Sequence, residues 1–241
     1  MCLIQNKKVT ICACSSRSLI DKNKVAVIAA RMKNVGYDVR ITADLCRIVM
    51  QDSPDTADMV SGIILACYPR TIRSHLDRLG RKTEQITVDI RSQTLFEIFS
   101  QLGLECPNPE EDTLTEEAFR RMIDELPVET GVDAWYPVID KTRCTECGKC
   151  HDFCLFGVYS VENRKIRVAQ PQHCKNNCPA CARMCPTKAI IFPKYEKSPV
   201  NGGTAQEETF NPEEMDGMYR ERLRMRLQQR RTGIALIKED I

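Results

Sequence analysis

The chain has 241 residues, 42% of them hydrophobic, enough to bury a core in one large domain or two small ones. With 35 basic and 33 acidic side chains its formal net charge is +2, which predicts neither nucleic-acid binding nor attraction to a membrane surface. Fourteen cysteines in tight local groups, not scattered as a disulfide framework would scatter them, read as metal ligands.

The first eight residues carry no apolar core followed by a cleavage site, so no export signal is expected and the thiols should stay reduced in the cytoplasm. Short β-branched runs then alternate with helical stretches. Val9-Thr10-Ile11 precedes a helix over Asp21 to Lys33, and Val39-Arg40-Ile41 precedes a cysteine-containing turn and a short helix. Ile63-Ile64-Leu65 precedes Thr71 to Leu79, and Ile86-Thr87-Val88 precedes Thr94 to Leu102. Strands this short separated by helices predict an α/β unit over residues 1–104, a small parallel sheet of Rossmann-like or flavodoxin-like type covered on both faces. The longest apolar runs, Val25 to Ala30 and Ile63 to Cys67, are too short to span a bilayer.

Residues 105–136 are rich in proline and read as a linker with one acidic helix, Thr113 to Leu126, in which Thr113 and Glu116 form a capping box. The next unit, 137–195, holds two cysteine runs. Residues 196–210 include Ser198-Pro199-Val200-Asn201-Gly202-Gly203-Thr204 and read as a flexible connection. In 211–241, Asn211-Pro212-Glu213-Glu214 predicts a helix start, and Met215, Tyr219, Leu223 and Leu227 recur every fourth residue among six arginines. That basic amphipathic helix is expected to seat its stripe on a partner subunit or on the chain's own domains.

The two runs form an internal repeat. Cys144-x-x-Cys147-x-x-Cys150-x-x-x-Cys154 is followed by Cys174-x-x-x-Cys178-x-x-Cys181-x-x-x-Cys185-Pro186. A two-residue spacing lets a tight loop wrap three sulfurs around one face of a cubane, and the fourth thiolate must come from elsewhere. The pattern resembles bacterial-type two-cluster ferredoxins over about Trp135 to Tyr195, with Pro137-Val138-Ile139-Asp140 and Ala189-Ile190-Ile191 as the closing strands of an α+β dicluster domain. That resemblance implies two [4Fe-4S] clusters with crossed ligands: Cys144, Cys147, Cys150 and Cys185 for one, and Cys154, Cys174, Cys178 and Cys181 for the other. Two structural zinc sites are the bland alternative. The three-residue gap between Cys174 and Cys178, and Leu155 where proline is common, depart from the pattern around the second cluster. His151 and His173 flank ligand positions and read as solvated neighbours or donors to the ligands.

Four further cysteines follow the predicted strands: Cys12 and Cys14 the first, Cys46 the second, Cys67 the third. A parallel sheet gathers its strands' carboxyl ends on one edge, where these thiols would converge. Ile11-Cys12-Ala13-Cys14, Asp44-Leu45-Cys46, Leu65-Ala66-Cys67-Tyr68-Pro69-Arg70 and Val88-Asp89-Ile90-Arg91 resemble, in order, landmarks of the N-terminal domain of the heterodisulfide reductase A subunit. The resemblance covers about residues 8 to 100 and implies a third [4Fe-4S] cluster on Cys12, Cys14, Cys46 and Cys67; Ser15, Tyr68 and Asp89 depart from it. Zinc, a redox-active dithiol or plain buried cysteines are the alternatives at this edge. Cys2 and Cys106 match neither pattern and read as free thiols.

That subunit also has a flavin domain, and no GxGxxG occurs in this sequence, so a flavin is expected on a partner. The sequence therefore predicts an electron-transfer subunit of a hetero-oligomeric, anaerobic oxidoreductase complex, non-catalytic itself, wiring a flavin-containing or other oxidoreductase subunit to a low-potential partner. A thiol–disulfide enzyme fed by the clusters and an iron–sulfur sensor are the competing readings.

Overall fold

The computed structural model describes residues 8–51, 56–81, 86–107, 109–126 and 134–204, with Arg220 and Arg224 both helical. The rest of the expected C-terminal helix, and Cys2, lie outside the described residues.

Four strands make a parallel sheet: β1 (Lys8–Cys12), β2 (Asp38–Thr42), β3 (Ile63–Ala66) and β4 (Thr87–Asp89), in the order β2-β1-β3-β4. Register is set by Ile11 opposite both Ile41 and Leu65, and by Leu65 opposite Val88. Successive strand residues point to opposite faces, and all four residues of β3 are buried, so both faces of this strand are covered. Outer strand β2 alternates between exposed and partly buried positions until Thr42.

The intervening helices are α1 (Lys22–Asn34), α2 (Leu45–Gln51), α3 (Thr56–Met59), α4 (Pro69–Arg78) and α5 (Leu95–Leu102). Asp21 caps α1 by accepting from the Asn23 N–H at 2.9 Å, and Thr94 with Glu97 closes a capping box on α5. Helix α4 begins at Pro69, two residues before the expected Thr71, because proline is tolerated in the first turn, where its missing N–H has no partner to lose.

The acidic helix α6 runs Pro109–Asp124, so it starts on a proline and not at Thr113, which lies inside it. Its Phe119 and Ile123 are buried in the core of the sheet unit with Val25, Ile28 and Met32 of α1. The expected linker helix is thus a packed part of the first unit. Burying side chains of this size contributes roughly 1.5–3 kcal/mol each relative to exposure, more than an isolated acidic helix could supply from propensity.

The second unit contains β5 (Val138–Ile139), α7 (Lys149–Phe153), β6 (Tyr159–Glu162), β7 (Lys165–Val168), a 3₁₀ turn (Pro171–His173), α8 (Ala180–Met184) and β8 (Ile190–Ile191). β5 and β8 pair antiparallel, as do β6 and β7. Helix α4 packs against β5, joining the two units. The segment Ser198–Thr204, expected to be flexible, is instead anchored: Asn201 is fully buried, its carbonyl accepts from Thr71 Oγ1 at 2.9 Å, and its side chain accepts from the Gly203 N–H. Polar turn composition marked a loop, but the buried hydrogen bonds that fix it come from α4, remote in sequence.

Candidate metal centre

Strand order reverses at β1, whose neighbours are β2 on one side and β3 on the other; Cys12 is the last residue of β1, and Cys67 is the first residue after β3. Cys14 takes a left-handed turn with φ 48°, folding its loop back over that edge. Cys46 arrives on the first turn of α2, where Asp44 Oδ1 accepts from the Cys46 N–H at 3.0 Å and the Arg47 N–H at 3.4 Å. The Leu45 N–H points at Cys12 Sγ, 3.4 Å away.

These thiols lie close enough to perturb one another. Cys46 is raised by burial and then by the charges of Asp44, Cys67 and Cys14; Cys67 is raised to about 12 by burial and then by Cys14. Within the coupled pair, Cys14 is lowered to about 6, first by the hydrogen bond from Cys12, with Lys194 assisting against burial. Cys12 is correspondingly raised, first by that shared hydrogen bond.

Lys194, from the far end of the second unit, enters this site with only 1% of its surface exposed. Its ammonium lies 2.9 Å from Asp44 Oδ2, and it donates to Ser16 Oγ at 2.9 Å and to Cys14 Sγ at 3.3 Å. Burial opposes that charge, but Cys46, Cys14 and Asp44 outweigh it and hold the lysine above its ordinary pKa. In the same loop the buried Ser15 hydroxyl has no hydrogen-bond partner among the described residues.

In the second unit, left-handed Glu146 and Gly148 turn the chain between Cys144 and Cys150, and left-handed Asn177 does so before Cys178. Helices α7 and α8, which carry Cys150 and Cys181, pack on each other. Cys150 is raised to about 12 by burial and then, after allowance for the His151 N–H, by Cys185, Cys144 and Cys147. Cys174 is raised to about 12 by burial, Cys178 and Cys154. Cys181 is raised by burial and by Cys174, Cys154 and Cys150. Cys185 thus acts on Cys144 and Cys150 of the first run, and Cys154 on Cys174 and Cys181 of the second. Donors meet several of the sulfurs: Tyr159 Oη reaches Cys181 Sγ at 3.0 Å and the Ala189 N–H reaches Cys185 Sγ at 3.2 Å. Cys147 and Cys106 are exposed. His151 bonds Asp152 at 3.0 Å and His173 is exposed.

Among the described residues, no three Cys, His, Asp or Glu side chains are grouped closely enough to hold one metal ion. Thiolates can ligate a zinc ion or the iron atoms of a cubane. An all-thiolate donor set with N–H, O–H and ammonium donors turned on the sulfurs fits the cubane.

The two cysteine regions touch. Cys46, Ala134, Tyr136, Val138 and Ile191 share one buried apolar cluster, with Met50 and Cys174 packed against it. Tyr136 Oη donates to the Cys46 carbonyl at 2.7 Å. Arg17 stacks over Trp135 at 4.7 Å and donates to Asn177 Oδ1 at 2.6 Å and Asn176 Oδ1 at 3.4 Å. The lengthened Cys174–Cys178 gap thus supplies both asparagines that meet the first unit. Sequence reasoning missed Lys194, Tyr136 and Arg17. Only the Asp44-Leu45-Cys46 element carried a local signal; a lysine after a closing strand is ordinarily solvated.

Parts of the chain are similar to known proteins. An uncharacterised ferredoxin of Methanocaldococcus jannaschii is 52% identical over 67 residues, 27% of this chain and 45% of the relative, so the chain spans less than half of that protein's length. A second uncharacterised ferredoxin of that organism is 37% identical over 58 residues, 23% of this chain and 74% of its own length. A ferredoxin of Methanothermococcus thermolithotrophicus is 35% identical over 51 residues, 21% of this chain and 83% of its own length. The chain belongs to the ferredoxins.

No protein-family model matches this ferredoxin. Ferredoxins carry electrons on iron–sulfur clusters held by cysteine thiolates, the chemistry for which its donor set is suited. The matched stretches cover 21–27% of its length, so most of it lies outside them. Among the described residues no helix is long and apolar enough to cross a membrane.

Proposed function

We propose that this ferredoxin is a fixed relay subunit with three [4Fe-4S] clusters, passing single electrons between a flavin-containing or other oxidoreductase subunit and a low-potential partner in an anaerobic cytoplasm. Cys144, Cys147, Cys150 and Cys185 hold one cluster, and Cys154, Cys174, Cys178 and Cys181 a second, in a ferredoxin-like dicluster domain. Cys12, Cys14, Cys46 and Cys67 hold the third, on a flavodoxin-like sheet of the kind found at the N-terminus of the heterodisulfide reductase A subunit. The clusters supply one-electron chemistry, and the chain supplies their spacing, burial and hydrogen bonds.

The observation that carries the relay reading is the apolar cluster shared by Cys46 and Cys174. It gives the N-terminal thiols a dry, packed connection to the second cluster's ligands, while the exposed Cys147 lies in the other ligand group, where a partner can approach. A diffusing carrier has no need of a thiol-lined second domain packed against its clusters.

Iron analysis of protein purified without oxygen tests this: about twelve iron atoms per chain with three clusters, about eight with two. Replacing Cys12 and Cys14 together by alanine is expected to remove about four iron atoms and one paramagnetic signal, leaving the other signals unchanged. Eight iron atoms in the parent protein, with both other sites full by spectroscopy, would sink the third cluster. The lowered pKa of Cys14 favours one competing reading, a buried reactive thiolate serving disulfide chemistry. Rapid alkylation of Cys14 in the fully iron-loaded protein would support that reading over ligation.

A further inference from the structure

We propose that Lys194 is a positioning residue of the N-terminal cysteine site, a fixed buried cation lent by the second unit that makes the cluster there easier to reduce. The inference rests on the reading that Cys12, Cys14, Cys46 and Cys67 hold a cluster.

Lys194 follows β8 by three residues, in the short stretch Phe192-Pro193-Lys194-Tyr195 that leaves the ferredoxin-like unit, yet its ammonium lies among residues of the first. It meets Asp44 at 2.9 Å, Ser16 Oγ at 2.9 Å and Cys14 Sγ at 3.3 Å, three partners for its three N–H bonds. A lysine is almost never fully buried without a partner, and a carboxylate alone would satisfy one N–H. The third bond goes to a ligand sulfur. The stretch is held in place from both sides. Arg91, which follows β4, donates to the Pro193 carbonyl at 3.4 Å and to the Tyr195 and Glu196 carbonyls at 3.4 and 3.3 Å, and Trp135 packs on Phe192 at 5.3 Å between ring centres. Lys194 is therefore a wall of the site, built so that the first unit's thiols are complete only when the second unit is docked.

The electrostatic consequence has a definite sign. Reduction adds one electron to the site and takes up no proton from Lys194, so the site gains one negative charge facing a fixed ammonium. Donors and positive charge on ligand sulfurs favour the reduced state. At 1% exposure, water and salt screen the interaction little. Asp44, 2.9 Å from the same ammonium, acts with the opposite sign and moderates it.

The test is a redox titration of the full-length, iron-loaded protein with dithionite as reductant, followed by electron paramagnetic resonance. The N-terminal signal is the one lost on replacing Cys12 and Cys14. In Lys194→Gln, the reduced-to-oxidised ratio of that signal at a given potential is expected to fall at least tenfold, a midpoint about 59 mV lower for a one-electron couple. The two remaining midpoints should stay in place. An unchanged or higher N-terminal midpoint in a fully loaded Lys194→Gln protein overturns the proposal. If Lys194→Gln loses that iron, Asp44→Asn decides: a higher midpoint upholds the assignment, while an unchanged or lower one, or loss of iron here too, makes the pair merely structural and overturns it. Eight iron atoms in the parent protein would instead remove the third cluster itself, a failure distinguishable from the absence of a shift.

Discussion

Replacing Arg70 by alanine should loosen the junction between the two units. Arg70 extends from α4 to Asp140, with Nε 2.6 Å from the carboxylate, and also donates to the Lys188 and Pro199 carbonyls. Both side chains of the pair are largely buried, 15% and 8% exposed. Removing one partner of a buried pair costs about 3–5 kcal/mol when the other charge is stranded. Asp140 is not wholly stranded, because it keeps the Thr142 N–H at 3.0 Å, the Thr142 hydroxyl at 2.6 Å and Arg143 at 3.7 Å. A loss of about 2–3 kcal/mol follows, or roughly 4–12 °C in unfolding midpoint for a chain of this size. Thermal unfolding under argon, read by far-ultraviolet circular dichroism and by bleaching of cluster absorbance, measures it. Arg70→Lys should fall between parent and alanine variant, since an ammonium can meet Asp140 but cannot also span both carbonyls. A double-mutant cycle with Asp140→Ala isolates the pair, and added salt should change little. An Arg70→Ala midpoint within about 2 °C of the parent would refute the reasoning, since even the smallest loss expected here exceeds it.

Three other outcomes are expected. His75 is fully buried, neither ring nitrogen has a hydrogen-bond partner among the described residues, and its pKa is lowered to about 3, first by burial and then by Arg78. Its folded pKa lies below its unfolded one, so the stability it confers is complete above about pH 6.5 and is lost towards pH 3, at about 1.4 kcal/mol per unit; His75→Leu should flatten the fall in unfolding midpoint between pH 7.5 and 5.5. Gly62 has φ +77°, and a Cβ there would stand 2.3 Å from the Lys8 carbonyl oxygen, so Gly62→Ala should cost about 2 kcal/mol or more in urea unfolding, because backbone cannot move aside as a side chain can. Cys185→Ala should alter the paramagnetic signal of the cluster assigned to Cys144, Cys147 and Cys150 and spare the other two; an effect confined to the Cys174 group would undo the crossed assignment.

Much of the candidate site was legible because its chemistry is local. The two-residue gaps of Cys144 to Cys150 are a spacing that left-handed turns can wrap, and Glu146 and Gly148 take that conformation. The β/α alternation was legible for the same reason: β-branched runs and Asp21 or Thr94 at helix starts act on their immediate neighbours. What sequence pattern could not convey were contacts made at long range. Flanking prolines marked α6 as linker, while Phe119 and Ile123, one helical turn apart, face α1 about ninety positions away. Turn residues marked Ser198–Thr204 as loose, while Thr71 ties it down. Nothing local singled out Lys194, since a lysine's charge ordinarily seeks water; only the packing of one unit on the other supplies the carboxylate, hydroxyl and thiol that replace it. The sequence by itself determined the donor atoms and their spacing, which are covalent and local. Tertiary structure alone decided which charges stand beside them, because that depends on which remote surfaces exclude water together.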